Sequence, residues 1–264
     1  MRFDVITLFP ELFAPFLSAG INRRAFATGL VDVRLWSPRD HADGNYRRVD
    51  DRPFGGGPGM VMMAEPLYRC WQAIRADRAE TQPAPTLLFS PIGVRIDHAV
   101  VAEHAESQGA ILVCGRYEGI DQRFIDACVD GQLSLGDFVL SGGEIAAMAL
   151  LDAVARLQPG VLNDEGSHQQ DSFNPALDGL LDCPHYTRPE VWSGPQGEQG
   201  VPPVLLSGHH GHVEQWRREQ RLLGTARWRP DVLTQVRRQG GLTARDEAFL
   251  RDTAFKPSVP ASGA

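Results

Sequence analysis

The chain has 264 residues, of which 42% are hydrophobic and 22% charged, close to the globular average and against collagen, coiled coil or bulk disorder. It carries 33 acids against 26 bases, a formal −7, and 25 of those bases are arginine. The only lysine is Lys256, close to the C-terminus, so a Schiff-base lysine or a P-loop lysine in a folded core is excluded.

In chain order, residues 3–9 and 31–36 are short β-rich runs, separated by an apolar-periodic stretch over 11–28. A glycine-rich string, RPFGGGPGM, occupies 52–60 and suits neither helix nor strand. The spacing then predicts a helix over 64–78, a strand over 86–90 (TLLFS), a helix over 97–107 and a strand over 110–114 (AILVC). Helices follow over 121–129 and 144–157, the last stopped by Pro159-Gly160. Nearly continuous apolar strands suit burial on both faces of a parallel sheet. Strand alternating with helix predicts an α/β fold, a parallel sheet with helices on both faces.

From 158 to 201 the pattern is lost in a segment rich in Pro, Gly, Asp and Ser, too long for an ordinary connection. Helical patterns return over 212–223, 230–238 and 243–251. The expected organisation is a domain over 1–160, a flexible interdomain segment over 161–203, a small all-α domain over 204–255 and a disordered tail over 256–264. Charge divides along the same lines. Residues 201–264 hold ten bases and six acids, and the first 200 residues hold 16 bases and 27 acids. A basic helical region reads either as an arginine-rich solvated surface or as an electrostatic foothold for nucleic acid, which the acidic total conceals.

No run approaches the roughly 18 apolar residues of a membrane span. Asp4 and Glu11 interrupt the N-terminal stretch where a signal peptide needs a clean apolar run. Cys70, Cys114, Cys128 and Cys183 show no CxxC and read as reduced thiols. A soluble, cytoplasmic protein is expected.

Three segments after predicted strands share one character. Ser90-Pro91 ends TLLFS, GRYEG (115–119) follows AILVC, and LGDFVLSGGE (135–144) runs from a strand into a helix. In an open parallel sheet, ligands bind at the carboxyl ends of strands, where such loops converge. Their amides and carbonyls suit a small molecule with adenine-like edges. No G-x-G-x-x-G follows a strand, and the 52–60 string lacks the Gly-Lys-Ser/Thr of a P-loop. Arg156 and Asp171 lie just beyond as a cation and a carboxylate able to steady charge and take a proton, although Asp164, Glu165 and Asp178 are equally eligible acids. The GHHGH string (208–212) has no helical H-x-x-x-H spacing and no nearby cysteine, so it reads as helix-entry polarity rather than a metal site.

WSPRD (36–40), VDDRPFGGGPGMVMM (49–63), LVCGRYEGID (112–121), LGDFVLSGGE (135–144) and LLDCPHYTRPEVW (180–192) closely resemble the bacterial tRNA (guanine-N1)-methyltransferase family, the TrmD type, in order and in spacing up to about Phe255. That resemblance implies a SPOUT fold with a trefoil-type knot, a homodimer whose sites draw on both chains, and S-adenosylmethionine as methyl donor. The target it implies is N1 of the guanosine immediately 3′ of the tRNA anticodon. It assigns the cofactor site to Ser90, Pro91, Gly115, Tyr117, Glu118, Leu135, Gly136, Asp137, Phe138, Val139, Leu140, Gly142 and Gly143. Asp171 matches the general base, Arg156 the arginine that steadies the guanine oxygen, and Asp50 and Gly59 positions beside the target base. The base-bearing segment is one that orders on tRNA binding in the family. Magnesium dependence is also implied, though no ligand spacing here suggests it.

Departures are small: Phe138 stands where tyrosine is common, Leu135 replaces isoleucine, Asn163 replaces a frequent glycine, and 193–200 is expanded. The competing readings are a non-catalytic RNA-binding protein on the same scaffold and a nucleotide hydrolase using the GGGPG string.

Overall fold

The computed structural model describes residues 1–78, 84–162 and 168–253. Two compact units divide the chain, Met1–Asn163 and Asp164–Ala264. The expected tail over 256–264, the substituted Asn163 and the acids Asp164 and Glu165 lie outside the described residues.

The first unit contains β1 (Arg2–Ile6), α1 (Phe13–Ser18), α2 (Arg23–Ala27), β2 (Asp32–Trp36), β3 (Asp50–Asp51), β4 (Val61–Met62), α3 (Ala64–Arg78), β5 (Thr86–Arg95), α4 (His98–Glu106), β6 (Ile111–Val113), α5 (Gln122–Cys128), β7 (Gly131–Ser134) and α6 (Glu144–Arg156). Five strands form one parallel sheet in the order β2-β1-β6-β5-β7. Alternation along the strands divides the core. Phe3, Val5, Leu87, Phe89 and Leu112 face α1, α2, α4 and α6, and Ile6, Leu88, Ile111 and Val113 face α3 and α5. The sheet is therefore covered by helices on both sides, as the alternation of elements predicts. Within β1 the acid, Asp4, is fully buried and accepts hydrogen bonds from Arg2 of the same strand, Arg78 and Trp36 Nε1.

Two boundaries differ from the sequence reading. β1 stops at Ile6 rather than Phe9, because Pro10 opens a 3-10 turn over Pro10–Leu12. β5 runs on to Arg95, and Phe89 and Val94 both pair with Leu133 of β7, so that residues 90–93 loop out of the strand. This bulge is what turns Ser90 and Pro91 toward the carboxyl edge of the sheet. The chain leaving β7 returns between the ends of β5 and β6 before entering α6. A Cβ on Gly143 would stand 2.8 Å from Cys114 Cα and 3.3 Å from Phe89 Cβ, and its N–H donates to the Gly115 carbonyl at 3.1 Å.

The second unit opens with 3-10 turns at His168–Gln170 and Pro175–Leu177, followed by β8 (Val191–Gly194), β9 (Gly197–Gly200), α7 (Pro203–Leu206), α8 (His210–Trp228), α9 (Pro230–Arg238) and α10 (Ala244–Asp252). β8 and β9 form an antiparallel hairpin inside the stretch without sequence pattern. Every residue of β9 is exposed, so nothing in its composition records a buried face. Leu180, Leu222, Leu233 and Val236 are the buried centre of this unit, with Phe249 and Leu250 packed against them. His209 Nδ1 accepts from the His212 N–H at 3.2 Å and caps α8, which accounts for part of the GHHGH string.

Candidate active site

The bulge within β5 and the loops after β6 and β7 converge on a cavity of about 440 Å³. Ser90 and Pro91 of the bulge form one side, and Gly115, Tyr117 and Glu118 after β6 form another. Leu135, Gly136, Phe138, Val139, Leu140, Gly142 and Gly143 close the third. Asp137 is the exception among the residues assigned to this site. Its carboxylate is exposed, pairs with Arg95 at 2.8 Å and does not line the cavity.

The shape of the third loop follows from its glycines and one serine. Ser134 Oγ accepts from the Gly136 N–H at 3.2 Å, and the Phe138 N–H donates to the Gly136 carbonyl at 3.0 Å. Gly136 has φ +156, and a Cβ there would sit 3.0 Å from the Phe138 ring. The turn sends Phe138 and Val139 to the rim, 56% and 84% exposed. Among the described residues, the N–H groups of Val139 and Leu140 donate to no backbone carbonyl, which leaves them for a ligand edge.

Beneath the cavity lies a group that the sequence reading missed. Glu144, the first residue of α6, is almost fully buried, and its Oε1 accepts from Arg116 Nε at 3.1 Å and from Thr7 Oγ1 at 2.9 Å. Oε2 lies 2.9 Å from Arg116 Nη2, within ion-pair range but off the line of a hydrogen bond. Thr7 is 137 residues from Glu144, so no local spacing could have revealed the contact. Burial, with the Glu144 charge adding to it, pushes the Cys114 thiol well above its ordinary range, which removes it from nucleophilic chemistry.

The glycine-rich string forms the adjoining lip. Asp50 pairs with Met62 and Asp51 with Val61 in the β3–β4 ribbon, which holds the two ends of the string together. The Glu118 N–H donates to the Met60 carbonyl at 3.0 Å and the Met62 N–H to the Gly119 carbonyl at 2.9 Å. Asp50 and Gly59 thus adjoin the cavity through the Glu118 loop without lining it.

The proposed catalytic pair is divided between the units. Arg156 is the last residue of α6 and half-buried in the first unit. Asp171 lies in the second, in a turn where its N–H donates to the His168 carbonyl at 3.3 Å and its carbonyl accepts from the Asn174 N–H at 3.2 Å. Asn174 Nδ2 also donates to the His168 carbonyl, at 3.0 Å. Among the described residues no group of three or more His, Cys, Asp or Glu side chains could hold a metal ion, so no residue is assigned to magnesium. None of the described helices is long and apolar enough to cross a membrane.

An open parallel sheet with glycine loops gathered on one cavity, and with no Rossmann fingerprint, defines an α/β fold of non-Rossmann type. Residues 1–235 match the tRNA (Guanine-1)-methyltransferase TrmD family, and the chain belongs to that family. It is 72% identical over 252 residues to the tRNA (guanine-N(1)-)-methyltransferase of Paracidovorax citrulli, covering 95% of this chain and 97% of that one. The protein of the same name from Polaromonas sp. is 69% identical over 263 residues, covering 99% and 100%. That of Bordetella pertussis is 56% identical over 256 residues, covering 96% and 98%.

Proposed function

We propose that this chain is a cytoplasmic tRNA methyltransferase that moves a methyl group from S-adenosylmethionine to N1 of the guanosine immediately 3′ of the anticodon, acting as a homodimer. The observation that carries this reading is the convergence of three glycine-bearing loops on one cavity, in a chain of this family. The volume, about 440 Å³, is within the range of small-molecule sites, and the lining suits the donor. The amides of Val139 and Leu140 are donors for a purine edge, Phe138 offers a ring face, and Gly142 and Gly143 admit close backbone approach. The return of the chain between β5 and β6 supports the knot that the family implies.

S-adenosylmethionine, when bound, supplies a methyl group already activated on a sulfonium. The protein's work is then positioning and proton removal. Guanine N1 carries a proton, and its loss makes the ring nitrogen a good nucleophile. Asp171 is the carboxylate assigned to take it, and Arg156 is the cation assigned to steady the oxygen as negative charge develops there. Asp50 and Gly59 form the nucleobase side of the site, with the basic helices of the second unit holding the tRNA backbone through arginine.

Two measurements test the reading. Calorimetry with S-adenosylmethionine alone separates an enzyme from a non-catalytic RNA-binding protein, which would show no cofactor heat. Methylation of tRNA transcripts varying the target guanosine and its 5′ neighbour then tests activity and specificity together. Transfer that is indifferent to replacing the guanosine would overturn the assignment.

A further inference from the structure

The Arg116–Glu144 pair does more than neutralise a buried charge. We infer that it is a positioning pair that sets the width of the cofactor cavity by clamping the loops after β6 and β7 to each other and to the end of β1. The inference rests on the reading of that cavity as the S-adenosylmethionine site.

The contacts reach every wall except the bulge. Arg116 belongs to the loop after β6 and lines the cavity itself. Its Nη1 donates to the Ser141 carbonyl at 3.1 Å in the loop after β7. Its guanidinium lies 4.5 Å from the centroid of the Phe9 ring, and Glu144 is tied to Thr7, so the far end of the clamp is the chain leaving β1. A Cβ on Gly142 would stand 2.3 Å from Arg116 Nε and 2.5 Å from Glu144 Oε2, so the pair packs directly against the cavity-lining glycine. A carboxylate at the first turn of α6 is also favoured by the helix dipole, which helps hold the pair in place. The guanidinium fork can engage the carboxylate and a carbonyl together, a geometry that an ammonium cannot reproduce.

The loops carry the ligand contacts, and the pair carries the loops. Loosening it therefore weakens cofactor capture more than turnover. Glu144→Gln is expected to raise the KM for S-adenosylmethionine and its calorimetric Kd by roughly tenfold to a hundredfold, the loss of one charge-assisted contact. Turnover at saturating cofactor and the KM for tRNA change by much less. Thr7→Val removes the hydroxyl that donates to Glu144 and accepts from the Phe9 N–H at 3.0 Å, and is expected to give the same split at roughly tenfold or below, in a variant with an intact ion pair. Arg116→Lys keeps the charge but not the fork and is expected to fall with Glu144→Gln rather than with wild type.

Thermal melting of each variant accompanies the kinetics. If Glu144→Gln and Thr7→Val lower turnover and leave cofactor Kd and KM at wild-type values, or lower the melting temperature alone, the clamp is refuted as a positioning device. If wild-type protein itself gives no binding heat with S-adenosylmethionine, the reading of the cavity has failed, which is a different result from variants that bind as wild type does.

Discussion

Gly59 lies so close to Glu118 that a Cβ added to it would stand 2.5 Å from the Glu118 Cγ. The glycine-rich string and the cavity loop are thereby locked side by side, with no room for a side chain between them. Gly59 also has φ +75, a conformation that costs a residue bearing a Cβ roughly 1–2 kcal/mol.

Gly59→Ala therefore displaces the Glu118 side chain and strains the lip together. The expected outcome is a fall in kcat/KM for tRNA of about tenfold, with a smaller loss of cofactor affinity passed on through Glu118, which lines the cavity where Gly59 does not. Steady-state kinetics with each substrate varied in turn checks this. A loss confined to cofactor affinity would place the string on the wrong side of the site.

Gly143 offers a contrast. Its φ is −77, so alanine brings no backbone strain, and the cost is steric alone. The obstructing atom, Cys114 Cα at 2.8 Å, is backbone and cannot rotate away. Gly143→Ala is expected to destabilise the first unit by about 1–3 kcal/mol and to weaken cofactor binding. Urea unfolding and calorimetry on the same preparation measure both.

Asp171→Ala and Arg156→Ala test the chemistry. Each is expected to lower methyl transfer roughly a hundredfold or more while cofactor binding persists, since neither residue lines the cavity. Single-turnover assays with saturating cofactor isolate the step. Near wild-type rates in both variants would refute the assigned roles.

Asp246 gives the second unit a pH dependence. Burial raises its pKa, but hydrogen bonds from Arg218 and from Thr243 outweigh burial and hold it at about 2, against an ordinary 3.8. A depressed folded-state pKa contributes stability that is present above 3.8 and is lost as pH falls toward 2. That contribution is at most about 2 kcal/mol. Melting measured between pH 5 and about pH 2 is expected to fall more steeply for wild type than for Asp246→Asn, which cannot titrate there. Parallel slopes would show that the carboxylate is not the titrating group.

Most of the first unit was legible because its pattern is strong. TLLFS and AILVC are runs that only a two-sided burial explains, and 64–78 matches α3 from end to end. The β8–β9 hairpin was not legible, since GEQG carries no apolar alternation to read. The continuation of β5 past Pro91 was hidden for a related reason. A proline-glycine bulge reads as a strand end, and only the shared partner Leu133 shows that pairing resumes.

For the candidate site, the glycines announced themselves and the charges did not. Gly136, Gly142 and Gly143 stand out in composition, and all three line the cavity. Arg116 and Glu144 look like ordinary charges until the fold buries the carboxylate and brings Thr7 to it. Asp137 shows the reverse case, a residue carried into the site by its neighbours in the string and turned outward by its pairing with Arg95.

By itself, then, the sequence determined the class of fold, the family and the loops that meet at the carboxyl edge of the sheet. These follow from local periodicity and from strings of residues adjacent in the chain. The tertiary structure alone decided which side chains within those loops face the cavity and which buried ion pair holds the loops together. Such contacts join residues up to 137 positions apart, and burial, which local pattern does not encode, sets their strength.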